Sequence, residues 1–541
     1  MRIPNGARWA ARALAAAGLG ILPACAAVAD RPMSPAPRVV TLPAPAKPGG
    51  DVFAAGATEP APNLVQRTKA EFKLPAVPGA DGQGTPLPIT LAAALALTDA
   101  SPLDIQIADE RVRVASAQLD RANVLWLPNL NIGADYFRHD GQIQDIVGNV
   151  FTTSRSAVLL GAGPSAVLNL SDAVYLPLAA KQVVQAARAD AQATRNDTTL
   201  AVATAYYNVQ QARGEVAGAA ESLRRAEDLA ARVEKLAPDL APEVEVNRAK
   251  AEAARRRVAV ESAYERWQVA SADLTRLLRL QPGTLVEPAE EPSLTIGLIE
   301  PGTPVDELIA VGLTHRPELE SRQAVVQAAL VRVKQEQGRP FYPTVAVRGV
   351  GSNTPGLAGG YFGGGVNSDM KNFGSRFSVD LQAVWELQNL GLGNRALVRE
   401  REGDSRRALL ELLRAQDTVT AEVVQAHAQL DRAAKRLKAA EDGVANAVAS
   451  AEKNLQGLGQ TKRVGEQLVL VFRPQEAVAA IGALDQAYRD YYQAVGDHNR
   501  GQFRLYRALG RPGQAAGDVG TSAEPEKKAP KRVSVDPPNG P

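Results

Sequence analysis

"RFSVDLQAVWEL" (376–387) alternates. Phe377, Val379, Leu381, Ala383, Trp385 and Leu387 are apolar, Arg376, Ser378, Asp380, Gln382 and Glu386 are polar, and only Val384 breaks the pattern. A period of two over twelve residues predicts a β-strand with one apolar and one polar face. The surrounding chain is rich in Ala, Glu, Arg and Leu and reads as helix. A long strand with a greasy face is out of place there, and the fold class depends on what that face meets.

Three further segments alternate: 129–137 (Leu130, Ile132, Tyr136), 157–170 more weakly, and 344–350 (Val345, Val347). Polar, Gly-rich stretches join them in pairs, "RHDGQIQDIVGNVFTTSRS" (138–156) and "GSNTPGLAGGYFGGGVNSDMKNFG" (351–374). This predicts two long hairpins with flexible outer loops. Phe377 and Trp385 lie eight residues apart on one face. At ~3.3 Å per residue and a ~45° tilt they stand about 19 Å apart along a membrane normal, near the height of a barrel's apolar band. A soluble hairpin with one buried face is the alternative. Four strands cannot close a membrane barrel, and open edges are not tolerated in lipid, so a membrane reading requires several copies.

Composition narrows the field. The 541 residues carry a net charge of +2, which gives no electrostatic footprint for nucleic acid. The four histidines (139, 315, 427, 498) are scattered, and the single cysteine, Cys25, excludes an internal disulfide or a CxxC site. Neither a metal nor a cofactor is called for. No apolar run beyond the N-terminus reaches the ~18–20 residues of a membrane helix, so any membrane crossing falls to strands.

Residues 1–29 read as an export signal. Arg2, Arg8 and Arg12 precede the apolar "ALAAAGLGIL" (13–22). Two processing routes stay open. "LPAC" (22–25) resembles a lipobox, with the signal ending at 24 and a lipid on Cys25. "AVA" (27–29) predicts cleavage between Ala29 and Asp30. Residues 30–88 form a Pro/Ala-rich linker, and 513–541 a polar, disordered tail.

Between them lies a duplication, 89–300 and 301–512. Residues 90–133 match 304–349, with Pro102 and Pro128 paired to Pro317 and Pro343 at an offset of 215. In each copy one proline opens a helix and the next ends it before an alternating segment. Long heptad helices follow. Val202, Val209, Val216 and Leu223 fill one seam position, and Ala205, Ala212, Ala219 and Ala226 the other. The second copy repeats the code with Val423, Leu430, Leu437 and Val444, and with Ala426, Ala433, Ala440 and Ala447. This predicts close-packed coiled-coil hairpins, each longer than about 75 Å, with return helices opening near Pro242 and Pro474.

The order and spacing of these units resemble the TolC-type outer membrane efflux family over about residues 89–512. The resemblance rests on the duplicated proline–helix–proline–strand units, the junctions "LNLSDAVYLPLAAK" (168–181) and "WELQNLGLGNRA" (385–396), and the closing "YRDYYQAVGDHNRGQFRLYRALG" (488–510). It implies a mainly α chain with membrane β: duplicated antiparallel coiled-coil hairpins, plus four strands contributed to a trimeric 12-stranded barrel. It implies an exit duct in the bacterial outer membrane, in contact with outer membrane lipid. The duct works as a homotrimer with a periplasmic membrane-fusion adaptor and an inner-membrane efflux pump or ABC exporter. No catalysis is implied.

By position, Ser378, Asp380, Gln382 and Glu386 would face the lumen, and Phe377, Val379, Leu381 and Trp385 the lipid. The hairpin turns, 235–246 and 456–478, would form the periplasmic tips that dock the adaptor, with Pro238, Pro242, Glu243, Arg473, Pro474 and Glu476 on them. The second turn is the longer and carries the apolar "LVLVF" (468–472), an extra contact. An acidic cation-binding ring near that tip is not evident. Glu441 and Asp442 are weak gate candidates, and a solvated helix face accounts for them more simply. The competing class, a periplasmic coiled-coil scaffold or adaptor without a barrel, needs no alternating hairpins. An exported enzyme would need a nucleophile elbow, HExxH or phosphate loop, and none is present in context.

Overall fold

The computed structural model describes residues 74–75, 86–100, 102–127, 129–236, 242–300, 302–351, 360–363, 373–464, 467–471 and 473–510. All lie in the compact unit spanning Ala61–Pro541. The export signal, with Cys25, Ala29 and Asp30, lies outside the described residues, as does the tail from 511.

The first repeat opens with β1 (Leu87–Ile89), α1 (Leu91–Ala100) and α2 (Leu103–Asn123). Strands β2 (Asn129–Gln144) and β3 (Val150–Asn169) follow, then α3 (Leu170–Leu236), α4 (Glu243–Leu278) and β4 (Val286–Pro288). The second repeat has α5 (Val305–His315), α6 (Pro317–Gly338), β5 (Thr344–Gly351), β6 (Gly360–Gly363), β7 (Phe373–Val384) and α7 (Leu392–Gly457). It closes with β8 (Thr461–Val464), β9 (Gln467–Leu470) and α8 (Pro474–Ala508). Pro102 and Pro242 stand just ahead of α2 and α4, whereas Pro317 and Pro474 are the first residues of α6 and α8. At those places a missing N–H costs nothing.

Helices α3 and α7 have 67 and 66 residues, hence about 100 Å each at 1.5 Å per residue. Their return partners α4 and α8 have 36 and 35, about half that length. The remaining length of α3 packs against α2 and α6, and that of α7 against α6. The heptad residues do bury: Val202, Val209, Val216, Val423 and Val444 are fully enclosed, and Ala226 and Ala433 nearly so. Two glycines bring α3 onto α8. Gly214 sits beneath the ring of Tyr492, and Gly218 beneath Tyr488.

Four differences from the sequence expectation have physical causes. The opening strand stops at Val384, not Leu387, because its partner β5 starts at Thr344 and Pro343 before it has no N–H to extend the ladder. The stretch 138–156 is mostly strand: β2 and β3 stay paired out to Gln144 and Val150. A short turn closes them, in which Asp145 Oδ1 accepts from Asn149 N at 2.7 Å and Gly148 takes φ +99°. Leu87 and Pro88, placed in the linker, form β1, which runs parallel to β4. The second tip is not a plain turn but the β8–β9 hairpin, which incorporates much of "LVLVF".

Candidate functional site

The sheet sets the wall. Five strands are hydrogen-bonded in the order β2-β3-β5-β7-β6. The short β6 pairs only Phe373–Arg376 of β7, beyond the point where β5 ends. Residues opposite one another across antiparallel strands share a face. One face therefore collects Leu130, Ile132, Ala134 and Tyr136 of β2 with Val158, Leu160, Ala162, Pro164, Ala166 and Leu168 of β3. Across β5 and β7 it continues through Val345, Val347, Leu381, Ala383, Val379 and Phe377. No charged residue interrupts it. From Val158 to Leu168 it spans about 33 Å of strand, or about 23 Å at a 45° tilt, which matches the apolar band of a membrane barrel. The opposite face is mixed, with polar and small residues beside Phe137, Leu159, Val167 and Val350. One row reads Asn129, Ser165, Arg348, Asp380, and another Val167, Ala346, Gln382.

Ser378 and Asp380 thus share one face, and Phe377, Val379 and Leu381 the other, as the alternation predicts. Leu381 is 75% exposed in the single chain. Trp385 and Glu386 lie past the last rung of β7, both exposed, so their face is not fixed by the ladder. The outer edge of β2 and the 377–384 edge of β7 have no partner strand among the described residues. No described helix is long and apolar enough to cross a membrane.

Where sheet passes into helix, the sequence forces a bend. Asn389 and Leu390 adopt left-handed φ values of 51° and 58°, followed by Gly391 at 85°. Buried Asn394 pins the bend by accepting the Gln388 N–H at 2.9 Å. The first junction is simpler: Asn169 Oδ1 accepts from Asp172 N at 3.3 Å, and α3 begins directly.

At the other end lie the tips. Pro242 and Glu243 open α4, and both are exposed, as is Val244. Arg473 and Glu476 at the start of α8 are exposed, whereas Pro474 is buried beneath them. Pro238 lies outside the described residues. Glu441 and Asp442 sit about 24 Å above the lower end of α7, not on the tip itself. Burial, chiefly, and then Asp442 push the Glu441 carboxyl up, while Asp442 is exposed.

Residues 308–459 match the family described as outer membrane efflux protein. That match covers the start of the second repeat through its long helix. The solved structures agree in fold. The CmeC outer membrane channel of Campylobacter jejuni superposes with a TM-score of 0.63 at 15% identity, over 85% of this chain and 97% of that one. The MtrE outer membrane channel of Neisseria gonorrhoeae gives 0.61 at 16%, over 83% and 98%. The outer membrane protein VceC of Vibrio cholerae gives 0.61 at 16%, over 78% and 96%. No curated protein matches the sequence significantly. The match over residues 308–459, together with the shared fold, supports reading the apolar-faced sheet and the long hairpins as an outer membrane efflux duct that reaches into the periplasm, not an enzyme.

The chain also has positioning residues that sequence reading missed. The end of α8 clamps the segment leading out of the first repeat. Buried Asn499 donates from Nδ2 to Leu294 O at 2.8 Å and accepts from Ile296 N at 3.0 Å. Gln502 Oε1 accepts from Leu298 N and Ile299 N at 3.2 and 3.0 Å. His498 Nε2 donates to Ile296 O at 3.2 Å, and burial pulls its pKa down. Polar residues clustered in an otherwise heptad helix were the available signal.

A second cluster locks the return helices together. Glu252 of α4 and Asp485 of α8, 2% and 1% exposed, share Arg256. Arg255 and Arg489 complete their pairing at 2.9 and 2.6 Å. Burial pushes the Asp485 carboxyl up despite these cations.

Proposed function

We propose that three copies of this chain close one barrel of twelve long strands and continue below it as a helical tunnel, forming the exit duct of an efflux or secretion assembly. The observation that carries the reading is the sheet: one unbroken apolar face about as tall as a bilayer core, with the outer edge of β2 and the 377–384 edge of β7 unpaired among the described residues. Such edges cannot face lipid open. Pairing β7 of each copy with β2 of the next satisfies all of them.

In this reading the face with Phe377, Val379 and Leu381 meets outer membrane lipid, and Trp385 anchors the band at its periplasmic border. The rows with Ser378, Asp380, Gln382 and Arg348 line water, and Glu386 lies at the lower mouth. Their charges serve solvation of a pore, not chemistry. The exposed tips around Glu243, Arg473 and Glu476 dock a periplasmic adaptor, and an energised inner-membrane pump or ABC exporter feeds the duct from below. The β8–β9 hairpin adds contact area at the second tip. The two-residue acidic step Glu441–Asp442 narrows the lumen at most weakly.

Single-channel recording of the purified protein in a planar bilayer, with its mass measured in the same detergent, tests the duct. A trimeric mass and discrete conductance steps are expected. A monomer that forms no pore overturns the reading.

A further inference from the structure

The duplication carries a template for how copies meet. Inside one chain, the start of α3 seats the end of α6. Asp172 accepts from Gln335 Nε2 at 2.7 Å and from Arg339 at 2.9 Å, and Ser171 Oγ donates to Gln335 O at 3.0 Å. Tyr342, just beyond, packs edge-on against Tyr175 with centroids 6.4 Å apart. The row of helices runs α2–α3–α6–α7 and then stops. Its two ends are the repeat equivalents of this seam: the start of α7 corresponds to that of α3, and the end of α2 to that of α6.

Both ends carry charges without a partner. Arg395 and Arg399, one turn apart at the start of α7, are exposed and make no hydrogen bond or ion pair among the described residues. Asp120, at the 215-residue offset from Gln335, is exposed in the last turns of α2 and is likewise unpaired. Each charge stands at the wrong end of its helix dipole: cations near an N-terminus, an anion near a C-terminus. Apolar surface frames both sites. Leu392 and Leu410, 67% and 55% exposed, share the helix face of Arg399. Trp126 and Leu127, 49% and 66% exposed, occupy the positions of Phe341 and Tyr342. A cleft of about 1030 Å³, lined by Phe341, Leu387, Leu392, Arg395, Val398 and Arg399 among others, opens beside the arginines.

We propose that the seam between copies is a charge-reversed version of the internal seam. Asp120 of one copy pairs with Arg395 and Arg399 of the next, and Trp126 and Leu127 wedge against the cleft. This rests on the trimeric reading above. The reversal gives the assembly its register. Asp120 brought to the start of α3 would meet Asp172, so a copy docked one repeat out of step is repelled.

The test is a charge swap in the full chain, with trimer and monomer quantified by native mass spectrometry in mild detergent. Asp120→Arg and Arg395→Asp/Arg399→Asp each lower the trimer-to-monomer ratio by about tenfold or more, and combining them restores it to near the parental value. Asp120→Asn, which keeps the side-chain shape, gives a smaller loss in the same direction and serves should the reversal impair folding. A parental protein that is monomeric overturns the trimer itself. A trimeric parent with silent Asp120 variants, or a swap that fails to restore, overturns only this pairing. Arginine variants that weaken the trimer while Asp120 stays silent would assign those arginines to an anionic lipid instead.

Discussion

One substitution, made at different glycines, should change stability in opposite directions. Gly218 lies in α3 against α8. An added Cβ there would sit 2.6 Å from Tyr488 Cβ and 3.0 Å from its Cγ. Ordinary carbon contacts are about 3.5–4.0 Å, so the shortfall is roughly 1 Å. Tyr488 cannot swing away, because the crowded atom is the root of its side chain. The helices must separate, and such overpacking costs about 1–3 kcal/mol. Replacing a mid-helix glycine by alanine returns about 1 kcal/mol. The expected net effect of Gly218→Ala is a loss of up to about 2 kcal/mol. Gly214→Ala behaves alike, since its Cβ would lie 2.7 Å from Tyr492 Cγ. Gly443 in α7 is the control: an added Cβ meets nothing within 4 Å, so only the propensity gain remains. Thermal unfolding of the detergent-solubilised protein, followed by helical circular dichroism, ranks the variants. In so large a chain each kcal/mol moves the midpoint by about 1 °C. Gly443→Ala should unfold above the parent, and Gly214→Ala and Gly218→Ala below it. A Gly218→Ala midpoint at or above the parent would refute the close α3–α8 approach.

Three further outcomes follow from the buried polar groups. Trp267→Phe removes the indole donor that reaches Val286 O at 2.8 Å, leaving a buried carbonyl short of a partner. A loss of about 1–3 kcal/mol is expected, with faster proteolysis near residues 86–90 as β1 loosens from β4. Arg256→Met strands Glu252 and Asp485 and should cost about 3–5 kcal/mol at neutral pH by denaturant unfolding. Because the folded Asp485 pKa is raised, the folded state holds the proton more tightly, and stability falls as pH rises through that raised pKa. The variant should therefore recover on acidification. His498 has a depressed folded pKa, so its contribution is present above the unfolded value near 6.5 and is lost as pH falls through the folded pKa. His498→Gln should flatten the stability profile below about pH 6.5, and an unchanged slope would remove His498 from the acid response.

Much of the fold was legible because its signals are local and repeated. The heptad seams needed only period seven, and their buried valines and alanines lie where that period puts them. The proline pairs marked both helix starts and both strand starts. The strands were legible by alternation, but their lengths were not: Trp385 and Leu387 continue the pattern where the ladder has run out, since register depends on a partner and not on the strand's own residues. The β1–β4 pairing was invisible. It joins two three-residue segments, each with a proline, about 200 residues apart. The α8 clamp was hidden for a similar reason. Asn499 and Gln502 look like solvated helix positions until the segment 294–299 is laid across them, because a polar residue's burial depends on what distant chain it meets.

The two repeats, equal in pattern, differ in burial, and the difference is informative. Helix α3 buries polar and small residues along almost its whole length, from Ser171 through Asn196 and Gln210 to Val233. Helix α7, with the same heptad code, buries chiefly a single stripe, and leaves Leu392, Leu409, Leu410 and Val424 exposed. Local propensity does not explain this, for the two helices match in length and seam. Neighbours do. Beyond its return partner, helix α3 has α2 on one side and α6 on the other along its upper length, whereas α7 has α6 on one side there and nothing in the place that α2 takes beside α3. The same argument applies to β2 and β7, each lacking one partner at the edge of the sheet. Sheet and helices thus end at the same two borders of the chain. On the trimeric reading proposed above, a surface that is greasy, edge-open and aligned from membrane band to tunnel is the border of an assembly rather than of a finished molecule. The alternating segment at 376–387 is then the last stave before that border, which is why its pattern runs three residues past the partner one chain can give it.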